Sequence, residues 1–416
     1  MMKQSYYKRD NCRLCNSTSL FIVLDLMDTP VGDAYVSDAL DNKNQPTFPL
    51  GLYRCDSCGH LQLLDVVNPK LLYGNFTYHT AISVGLSEHF KTYSFDIARK
   101  FDLKKGDLVV DIGSNDGTLL RYFKDNHYVD VLGIEPAKEI AEEASRAGIE
   151  TIPAYFTKQL GEKIREERGP VKLVTTNNTI ANIDDLSDFL AGVRYLLGND
   201  GVLVLETGYG VDLIQGYLVD VIYHEHLGYF SVGDLKNFLE ANAFELIDIS
   251  RIPNKGGSLR AVVQNKGGLR KPSSNISDMI LYEEALRVRS SRFYEPFIRR
   301  MEDTKEQMQF LLLRLRESGK NIIGFGASVG VTTLLYYLDL AKYLDCLIDE
   351  NPIKQGTYSP GFNLKVEHPS YIKECVPDYV LILAWRYADG IIRKYPLVQE
   401  YGGKFIVPLP TISILS

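Results

Sequence analysis

The sequence has few histidines, a single tryptophan and no long apolar run. Seven of its 416 residues are His. The absence of an uninterrupted run of 18 or more apolar residues argues against a transmembrane helix, so we expect no membrane partner. The first residues lack the apolar stretch of a secretory signal peptide. The sequence therefore predicts a cytoplasmic protein.

Positive charge is also scarce. The chain has 46 Lys and Arg against 53 Asp and Glu, which gives a net charge of -7 and a pI of about 5.6. Such a chain does not attract nucleic acid or anionic membranes, so we expect no nucleic-acid partner. With 45% hydrophobic residues, the composition is that of an ordinary globular protein. Its length predicts two or three domains.

Cysteine is infrequent, and four of the six cysteines form two CxxC pairs. The pairs are Cys12 with Cys15 and Cys55 with Cys58. Two cysteines three apart can point at one ion, and two such turns complete a tetrahedral four-thiolate site. The sequence therefore predicts a structural Zn²⁺ ion bound by these thiolates. His60 is not expected to be a ligand, because four thiolates already suffice.

The succession of apolar runs predicts an α/β protein with three domains. From about residue 100, strand-like runs alternate with helical patterns, which is typical of a parallel, doubly wound sheet. A segment at 256–275 is rich in Gly and Ser and predicts a linker. We predict a small zinc-binding domain at 1–72, a central Rossmann-like domain at 73–275 and a second Rossmann-like α/β domain at 276–416.

The first strand and helix of the central domain are joined by an acidic, Gly-rich turn, "DIGSNDG". Asp111 ends the strand, and the turn contains Gly113, Ser114, Asn115, Asp116 and Gly117. The spacing differs from the GxGxxG dinucleotide turn, and acidic side chains would repel a pyrophosphate. A ligand that carries an amino acid and a sulfonium cation fits better. The alternative is a plain connection with a solvated acidic loop.

The next two strands end in further polar residues. Glu135 lies at the strand end where an acidic residue binds ribose hydroxyls in doubly wound folds. With the acidic turn, it resembles the S-adenosylmethionine site of class I methyltransferases. Asn177, Asn178 and Asn182 follow the third strand, where we expect them to face cofactor or substrate. Helix capping is the alternative for these asparagines.

The stretch "YHEHLGYFS" contains two of the seven histidines within three residues. His224 and His226 flank Glu225, and Tyr223 precedes them. From the residues alone, this stretch is a metal site, an acid/base centre or a packed polar segment.

The order of these motifs resembles that of the deoxysugar C-methyltransferases, which act on dTDP-linked ketosugars. The resemblance runs nearly end to end and includes "CRLC", "CDSCGHLQL", "YHTAIS", "DIGSNDG", "YHEHLGYFS", "GGSLR", "GFGAS" and "DENPIKQGTYSPG". It implies that the central domain binds S-adenosylmethionine. It also implies that the last domain helps to hold a nucleotide-linked sugar.

The resemblance also implies a role for the histidines of the "YHEHLGYFS" stretch. Members of the family remove a proton beside a 4-keto group, and the resulting enolate carbon attacks the sulfonium methyl. His226 then becomes the general base, because imidazole titrates near neutrality. Tyr223 becomes the partner of the enolate oxygen, Glu225 an orienting or substrate-binding group, and Tyr78 an aromatic residue of the sugar pocket. A metal site at His224 and His226 is disfavoured, because no further ligands cluster nearby.

Three positions depart from the family pattern. Asn182 and Lys255 stand where the family usually has His, and Arg386 stands where it usually has Asn. Asn cannot titrate, and the two cations suit a phosphate or carboxylate. An alternative is therefore methyl transfer to N or O of another phosphorylated or anionic small molecule. A non-catalytic binding protein with the same fold is a third hypothesis.

The last domain contains a second Gly-rich turn, "GFGAS", between a predicted strand and helix. Gly326, Ala327 and Ser328 are expected to hold a phosphate of the substrate at the helix N-terminus. Arg260, in "GGSLR", is a candidate partner of a substrate anion, and a solvated arginine at a strand edge is the alternative. We expect a monomer, with a dimer as the alternative.

Overall fold

The computed structural model describes residues 5–73, 79–82 and 85–416. This part of the chain forms four β-sheets, of two, four, seven and six strands. None of its helices combines the length and the apolar character that crossing a bilayer requires.

The N-terminal unit consists of short strands and one short helix. These elements are β1 (Tyr6–Lys8), β2 (Leu20–Asp25), β3 (Gly51–Cys55), β4 (Leu61–Leu63), β5 (Asp65–Val67) and α1 (Pro69–Tyr73). Strands β2, β3 and β4 pair antiparallel, and β1 pairs with β5. The first CxxC pair precedes β2, and the second lies in the turn from β3 to β4. The hairpins therefore bring the two pairs together.

The central part of the chain builds the seven-stranded sheet. Its strands are β6 (Leu108–Ile112), β7 (Asp130–Ile134), β8 (Thr151–Ile152), β9 (Val171–Asn177), β10 (Leu197–Gly208), β12 (Phe244–Ile252) and β13 (Ser258–Asn265). The separate short strand β11 (Gly228–Tyr229) lies between β10 and β12 in the chain. The helices are α2 (Leu86–Lys100), α3 (Thr118–His127), α4 (Lys138–Arg146), α5 (Lys158–Arg168), α6 (Leu186–Leu196), α7 (Gly210–Gln215) and α8 (Val232–Ala241).

The strand order of this sheet is β12-β13-β10-β9-β6-β7-β8. Strands β10, β9, β6, β7 and β8 are parallel, whereas β13 runs antiparallel to both of its neighbours. The inner strands are continuously apolar because helices cover both faces of the sheet, and Val109 and Val110 are fully buried. Their polar residues are confined to the strand ends, where ligands bind in such sheets.

Two helices connect the central and C-terminal sheets. Helix α9 (Ser274–Leu286) packs on the core of the central sheet through Ile276, and α10 (Ser291–Glu317) buries Phe297 and Met308 against the C-terminal core. The predicted boundaries after residues 72 and 275 stay predictions.

The C-terminal sheet has the order β16-β15-β14-β17-β18-β19. Its strands are β14 (Ile322–Phe325), β15 (Leu347–Ile348), β16 (Val366–Glu367), β17 (Tyr379–Ile382), β18 (Lys404–Val407) and the antiparallel β19 (Ser413–Leu415). Its helices are α11 (Val329–Tyr337), α12 (Ile372–Cys375), α13 (Ala388–Lys394) and α14 (Leu397–Glu400). The strand order reverses at β14, which places a ligand crevice there. The predicted α/β architecture is confirmed.

The N-terminal unit packs against the rest of the chain through a shared sheet and a shared hydrophobic cluster, among other contacts. Strand β11, which follows "YHEHL", pairs antiparallel with β4 and completes the four-stranded sheet. Leu52 and Leu63 of the N-terminal unit belong to the same hydrophobic cluster as Phe325 and Leu381 of the C-terminal sheet. The three parts of the chain are thus packed into one body around the strand ends.

Candidate active site

A cavity of about 960 Å³ lies at the carboxyl ends of the central parallel strands. All three parts of the chain contribute to its wall. Asp33 comes from the N-terminal unit, Asp111 from the central sheet and Asp349 from the C-terminal sheet. A ligand in this cavity would therefore contact every part of the protein.

The structure brings most of the sequence-predicted site residues to this cavity. Those that line it are Asp111, Gly113, Ser114, Asn115, Glu135, Asn177, Asn178, Asn182, Tyr223, Glu225, His226, Lys255, Ala327 and Ser328. Tyr78 lies outside the described residues. The segments that carry these residues are far apart in the sequence, so the cavity is a product of the tertiary fold.

Two buried carboxyl groups lie at the cavity wall, Asp111 near the end of β6 and Glu135 directly after β7. Thr175 donates a hydrogen bond of 2.7 Å to Oδ1 of Asp111, and burial raises the pKa of Asp111 to about 7. The carboxylate of Glu135 accepts hydrogen bonds from the amides of Asn115 and Ala137, at 3.0 and 2.8 Å. Burial raises the pKa of Glu135 as well. These backbone contacts fix the orientation of Glu135 and leave further lone pairs on both oxygens.

Gly113 is required by the shape of this turn. Its φ is +79°, and a Cβ at this position would lie 2.2 Å from Oγ1 of Thr179. Any larger residue would push the turn away from the segment after β9. The glycine thus lets the two strand ends approach each other.

His226 is held between a carbonyl and a hydroxyl. Its Nδ1 lies 2.9 Å from the oxygen of Val221, and its Nε2 lies 2.9 Å from the hydroxyl of Tyr223. Because a carbonyl only accepts, Nδ1 carries the proton in the neutral ring and Nε2 accepts from Tyr223. Burial, together with the smaller effect of the positive charges of Lys255 and Arg386, lowers the pKa of His226 to about 4. The imidazole is therefore neutral at physiological pH, and His226 lines the cavity together with Tyr223.

Glu225 lines the cavity beside a buried ion pair. Burial raises its pKa to about 8, the charge of Asp33 adds to this shift, and the charge of Lys354 opposes it. Nζ of Lys354 lies 2.7 Å from Oδ1 of Asp33 and 4.4 Å from the ring centre of Tyr35. Glu225 is consequently protonated over much of the neutral range and can donate a hydrogen bond.

The four cysteines of the N-terminal unit converge on one point. Their sulfur atoms all lie within 4.8 Å of one another, with Cys12 to Cys58 and Cys15 to Cys55 both at 3.6 Å. A tetrahedral zinc site with Zn–S bonds of about 2.3 Å has S–S edges of about 3.8 Å. The thiolates therefore fit a zinc ion. Nδ1 of His60 instead contacts Asp234 at 2.9 Å.

Comparison with known proteins identifies the family. Three family models match: a putative zinc-binding domain at residues 12–73, a methyltransferase domain at 87–249 and a C-methyltransferase C-terminal domain at 253–410. The C-methyltransferase NovU of Streptomyces niveus is 31% identical over 98% of this chain and 97% of its own. The chain belongs to this C-methyltransferase family. It is an S-adenosylmethionine-dependent methyltransferase with a zinc-binding unit, and the resemblance noted in its motifs is confirmed.

Solved structures show weaker likenesses. PH0226 from Pyrococcus horikoshii OT3 is 14% identical, with a TM-score of 0.38 over 47% of this chain and 98% of its own. Magnesium protoporphyrin IX methyltransferase from Synechocystis PCC 6803, with bound S-adenosylhomocysteine, is 16% identical, with a TM-score of 0.35 over 47% and 90% of the two chains.

Several predicted site residues of this C-methyltransferase do not line the cavity. The carboxylate of Asp116 accepts from the amides of Ala81 and Thr118, at 2.8 and 3.1 Å, and so fixes the start of α3. Gly117, with φ of +75°, begins the same helix. Nε of Arg260 is 2.6 Å from buried Glu206, so its charge is neutralised inside the protein. The predicted contact of Arg260 with a substrate anion has no support here.

The second Gly-rich turn also differs from the predicted phosphate cradle. The amide of Gly326 donates to the oxygen of Ile348 at 2.7 Å, and the amide of Ala327 donates to Asp349 at 2.6 Å. Both amides thus have hydrogen-bond acceptors within the domain, and the carboxylate of Asp349 binds the amide that was expected to bind a phosphate. Ser328 still lines the cavity. A carboxylate at this strand end suits a hydroxyl group of the ligand better than a phosphate.

Two of the three departures from the family pattern are linked to each other. Lys255 lines the cavity, and its backbone oxygen accepts from Nη1 of Arg386 at 3.0 Å. Nη2 of Arg386 lies 3.1 Å from the buried carboxylate of Asp220. Arg386 therefore joins the C-terminal sheet to the cavity wall but does not line the cavity.

Sequence analysis missed some of the lining residues. Tyr73, Tyr155 and Phe156 supply aromatic surface, and Asp33 and Lys354 supply charge. Lys354 lies in the quoted motif "DENPIKQGTYSPG", directly after β15, so its strand-end position was a usable signal. Asp33 lies in a loop of the N-terminal unit, where no local pattern distinguishes it.

Proposed function

We propose that this protein transfers a methyl group to a carbon of a nucleotide-linked 4-ketodeoxysugar, with His226 as general base. One observation carries the proposal. His226, Asp111 and Glu135 line the same cavity, although they come from different parts of the chain. A deprotonating group and a cofactor pocket thus share one enclosed space.

The pocket on the side of β6 and β7 suits S-adenosylmethionine. Glu135 is oriented to accept hydrogen bonds from two ribose hydroxyls. Asp111 and its neighbouring turn suit the amino acid end of the cofactor, and Tyr155 and Phe156 suit the adenine ring. When bound, the cofactor supplies an electrophilic methyl group on a sulfonium ion.

On the opposite side, the Tyr223–His226 pair suits enolate chemistry. Neutral His226 accepts the proton from the sugar carbon beside the ketone at Nε2 and becomes an imidazolium ion. The hydroxyl of Tyr223, and Glu225 in its protonated form, are hydrogen-bond donors for the ketone oxygen as negative charge develops on it. The carbon then forms its bond to the methyl group, and the electron pair of the broken bond stays on sulfur.

The nucleotide part of the substrate has a place at the C-terminal sheet. Asp349, Asn351 and Lys354 line the cavity beyond β15 and offer groups for hydroxyls and an anion. Lys255, which also lines the cavity, is the candidate partner of the diphosphate. The substrate would thus extend from the C-terminal sheet to residues 223–227, which we call the catalytic segment.

Methylation of N or O in another anionic molecule is the second candidate. Asn182 and Lys255 line the cavity and support it, whereas Arg386 is engaged by Asp220 and does not. Carbon methylation alone requires loss of a carbon-bound proton. The two candidates therefore differ in a measurable step.

The test is deuterium uptake by the sugar. The protein is incubated in D₂O with a dTDP-4-ketodeoxysugar and S-adenosylhomocysteine, which fills the cofactor pocket without donating methyl. We expect mass spectrometry to show one deuterium at the carbon beside the ketone with wild-type protein and none with His226→Ala. Calorimetry first establishes that S-adenosylhomocysteine and dTDP bind. Cofactor binding without response to any dTDP compound would shift the proposal to the second candidate.

A further inference from the structure

Arg13 lies between two zinc ligands and points away from them into the protein. It separates Cys12 from Cys15, and its side chain is fully buried. Its backbone amide donates to Oε1 of Gln62 at 3.1 Å, and its Nη1 donates to the oxygen of Leu63 at 2.8 Å. The zinc-binding turn and strand β4 therefore fix where the guanidinium lies.

The remaining contacts of Arg13 reach two segments that line the cavity. Nη1 lies 2.5 Å from the oxygen of Leu227, the residue after His226. Nη2 lies 3.2 Å from the carboxylate of Asp184, two residues after Asn182. Asp184 and Asn182 both line the cavity. One guanidinium thus contacts the catalytic segment and the segment that follows β9.

These two segments are also bonded to each other. The amide of Leu227 donates to the oxygen of Ala181 at 2.6 Å. A displacement of one segment therefore displaces the other. Although burial opposes ionisation, the hydrogen bond from Tyr7 and the charges of Arg13 and Arg9 lower the pKa of Asp184. The carboxylate is therefore ionised at neutral pH, where it pairs with the guanidinium of Arg13.

Other contacts hold the same segment to the N-terminal unit. Nε2 of His224 lies 3.2 Å from the backbone oxygen of Phe48, and Gly228 pairs with Gln62 in the sheet. His226 is thus flanked on both sides by residues anchored to the zinc-binding unit. The planar fork of an arginine can bind several oxygens at once in fixed directions, which suits it to this junction.

We propose that Arg13 is a positioning residue that couples the zinc-binding turn to the catalytic segment. The inference rests on the proposed role of His226 as the base. The zinc-binding unit then does more than stabilise the fold, because it sets the position of His226 relative to the bound sugar. At the ends of β6 and β7, the cofactor-side carboxyl groups of Asp111 and Glu135 are held by Thr175 and by the amides of Asn115 and Ala137 rather than by Arg13.

The chain offers a matched control in Arg54. This arginine directly precedes a zinc ligand, Cys55, and its side chain is 8% exposed. It donates to the oxygen of Arg289 and to Asp56, and neither residue lines the cavity. Arg54 therefore shares the environment of Arg13 without its link to the catalytic segment.

The experiment compares Arg13→Gln with Arg54→Gln in the full chain with its zinc content measured. We expect Arg13→Gln to lower kcat and deuterium uptake by the sugar about 10- to 100-fold, since small misplacements of reacting groups have such effects. Its affinity for S-adenosylhomocysteine should change much less than kcat, because the hydrogen bonds that hold Asp111 and Glu135 do not involve Arg13. Amide hydrogen exchange at residues 224–229 should accelerate. Arg54→Gln should leave all four measurements near wild type.

Three outcomes would overturn the inference. The first is wild-type deuterium uptake in Arg13→Gln, and the second is an equal loss in both variants. If Arg13→Gln does not fold, the same comparison is made with Arg13→Lys, which keeps the positive charge but lacks the planar guanidinium. The third outcome is failure of both Arg13 variants to fold while Arg54→Gln folds, which would assign Arg13 a purely structural role.

His226→Ala separates this inference from the proposed function. If His226→Ala exchanges deuterium like wild type, the proposed function fails. If His226→Ala loses exchange and Arg13→Gln keeps it, only the role of Arg13 fails.

Discussion

The hydroxyl of Tyr223 lies 2.9 Å from Nε2 of His226, and the ring centres of the two residues are 4.0 Å apart. The second ring nitrogen is committed to a backbone carbonyl, so the proton of Tyr223 points to Nε2. A substrate that loses its proton to His226 must therefore take the place of this hydroxyl as the partner of Nε2. The released hydroxyl is then available to the developing enolate oxygen.

The first prediction concerns the base. His226→Asn should lower kcat by about 10²- to 10⁴-fold, which is the usual contribution of general base catalysis. Steady-state kinetics with a dTDP-4-ketodeoxysugar measures this change. The matched control is His224→Asn, because His224 belongs to the same segment but bonds to the backbone oxygens of Phe48 and Pro49. His224→Asn should lower the melting temperature and reduce kcat much less than His226→Asn does. A larger loss of kcat in His224→Asn than in His226→Asn would assign the role of base to His224.

The second prediction concerns pH. His226 acts as a base only when neutral, and its pKa of about 4 places the acid limb of kcat/KM near pH 4, below the ordinary histidine value of 6.5. Lys255→Gln removes a positive charge that favours the neutral ring, so the pKa and the limb should move to higher pH. Lys266→Gln, an exposed lysine, should leave the limb in place. A shift to lower pH in Lys255→Gln would contradict this electrostatic account.

Glu225 predicts a second inflection in the same profile. Its pKa of about 8 means that the carboxyl is protonated below that pH and ionised above it. We expect kcat/KM of the wild type to fall as the pH rises through about 8, because the ionised carboxylate no longer donates a hydrogen bond. This fall should be absent in Glu225→Gln, which cannot ionise. An inflection that persists in the variant would belong to another group.

The third prediction concerns zinc. Elemental analysis should find one zinc per chain in wild type and less in Cys12→Ser, whose thiolate is one of the four ligands. Loss of a structural zinc site costs several kcal/mol, so the melting temperature should fall by about 5–10 °C. Cys375→Ser, at a cysteine far from the cluster in sequence and outside it, should retain the metal. Equal zinc contents in the two variants would refute the site.

The fourth prediction concerns the cofactor pocket. Glu135→Gln should weaken binding of S-adenosylhomocysteine about 10- to 100-fold, because two hydrogen bonds to a charged acceptor are lost or weakened. Calorimetry measures this change. Glu139→Gln, on the exposed side of α4, is the control and should bind as wild type does. Undiminished binding by Glu135→Gln would place the ribose elsewhere.

Local sequence features predicted much of the fold and part of the candidate site. The features that they missed depend on contacts between residues far apart in the sequence. The CxxC pairs and the turn at Gly113 express their geometry within a few residues, so the four-cysteine cluster and the position of this turn at the cavity could be predicted. The surroundings of Arg260 could not, because its partner Glu206 lies on a neighbouring strand 54 residues away. The hydrogen bond from the amide of Ala327 was missed for the same reason, since its acceptor Asp349 lies at another strand end.

The pairing of β11 with β4 has a consequence for how the protein is made. The N-terminal unit leaves the ribosome first, and strand β4 then has an open edge until Gly228 and Tyr229 have been synthesised. An open strand edge invites pairing with other chains. The edge of β4 therefore needs protection while the chain is being made, and we expect a fragment that stops before residue 228 to aggregate even when it is loaded with metal.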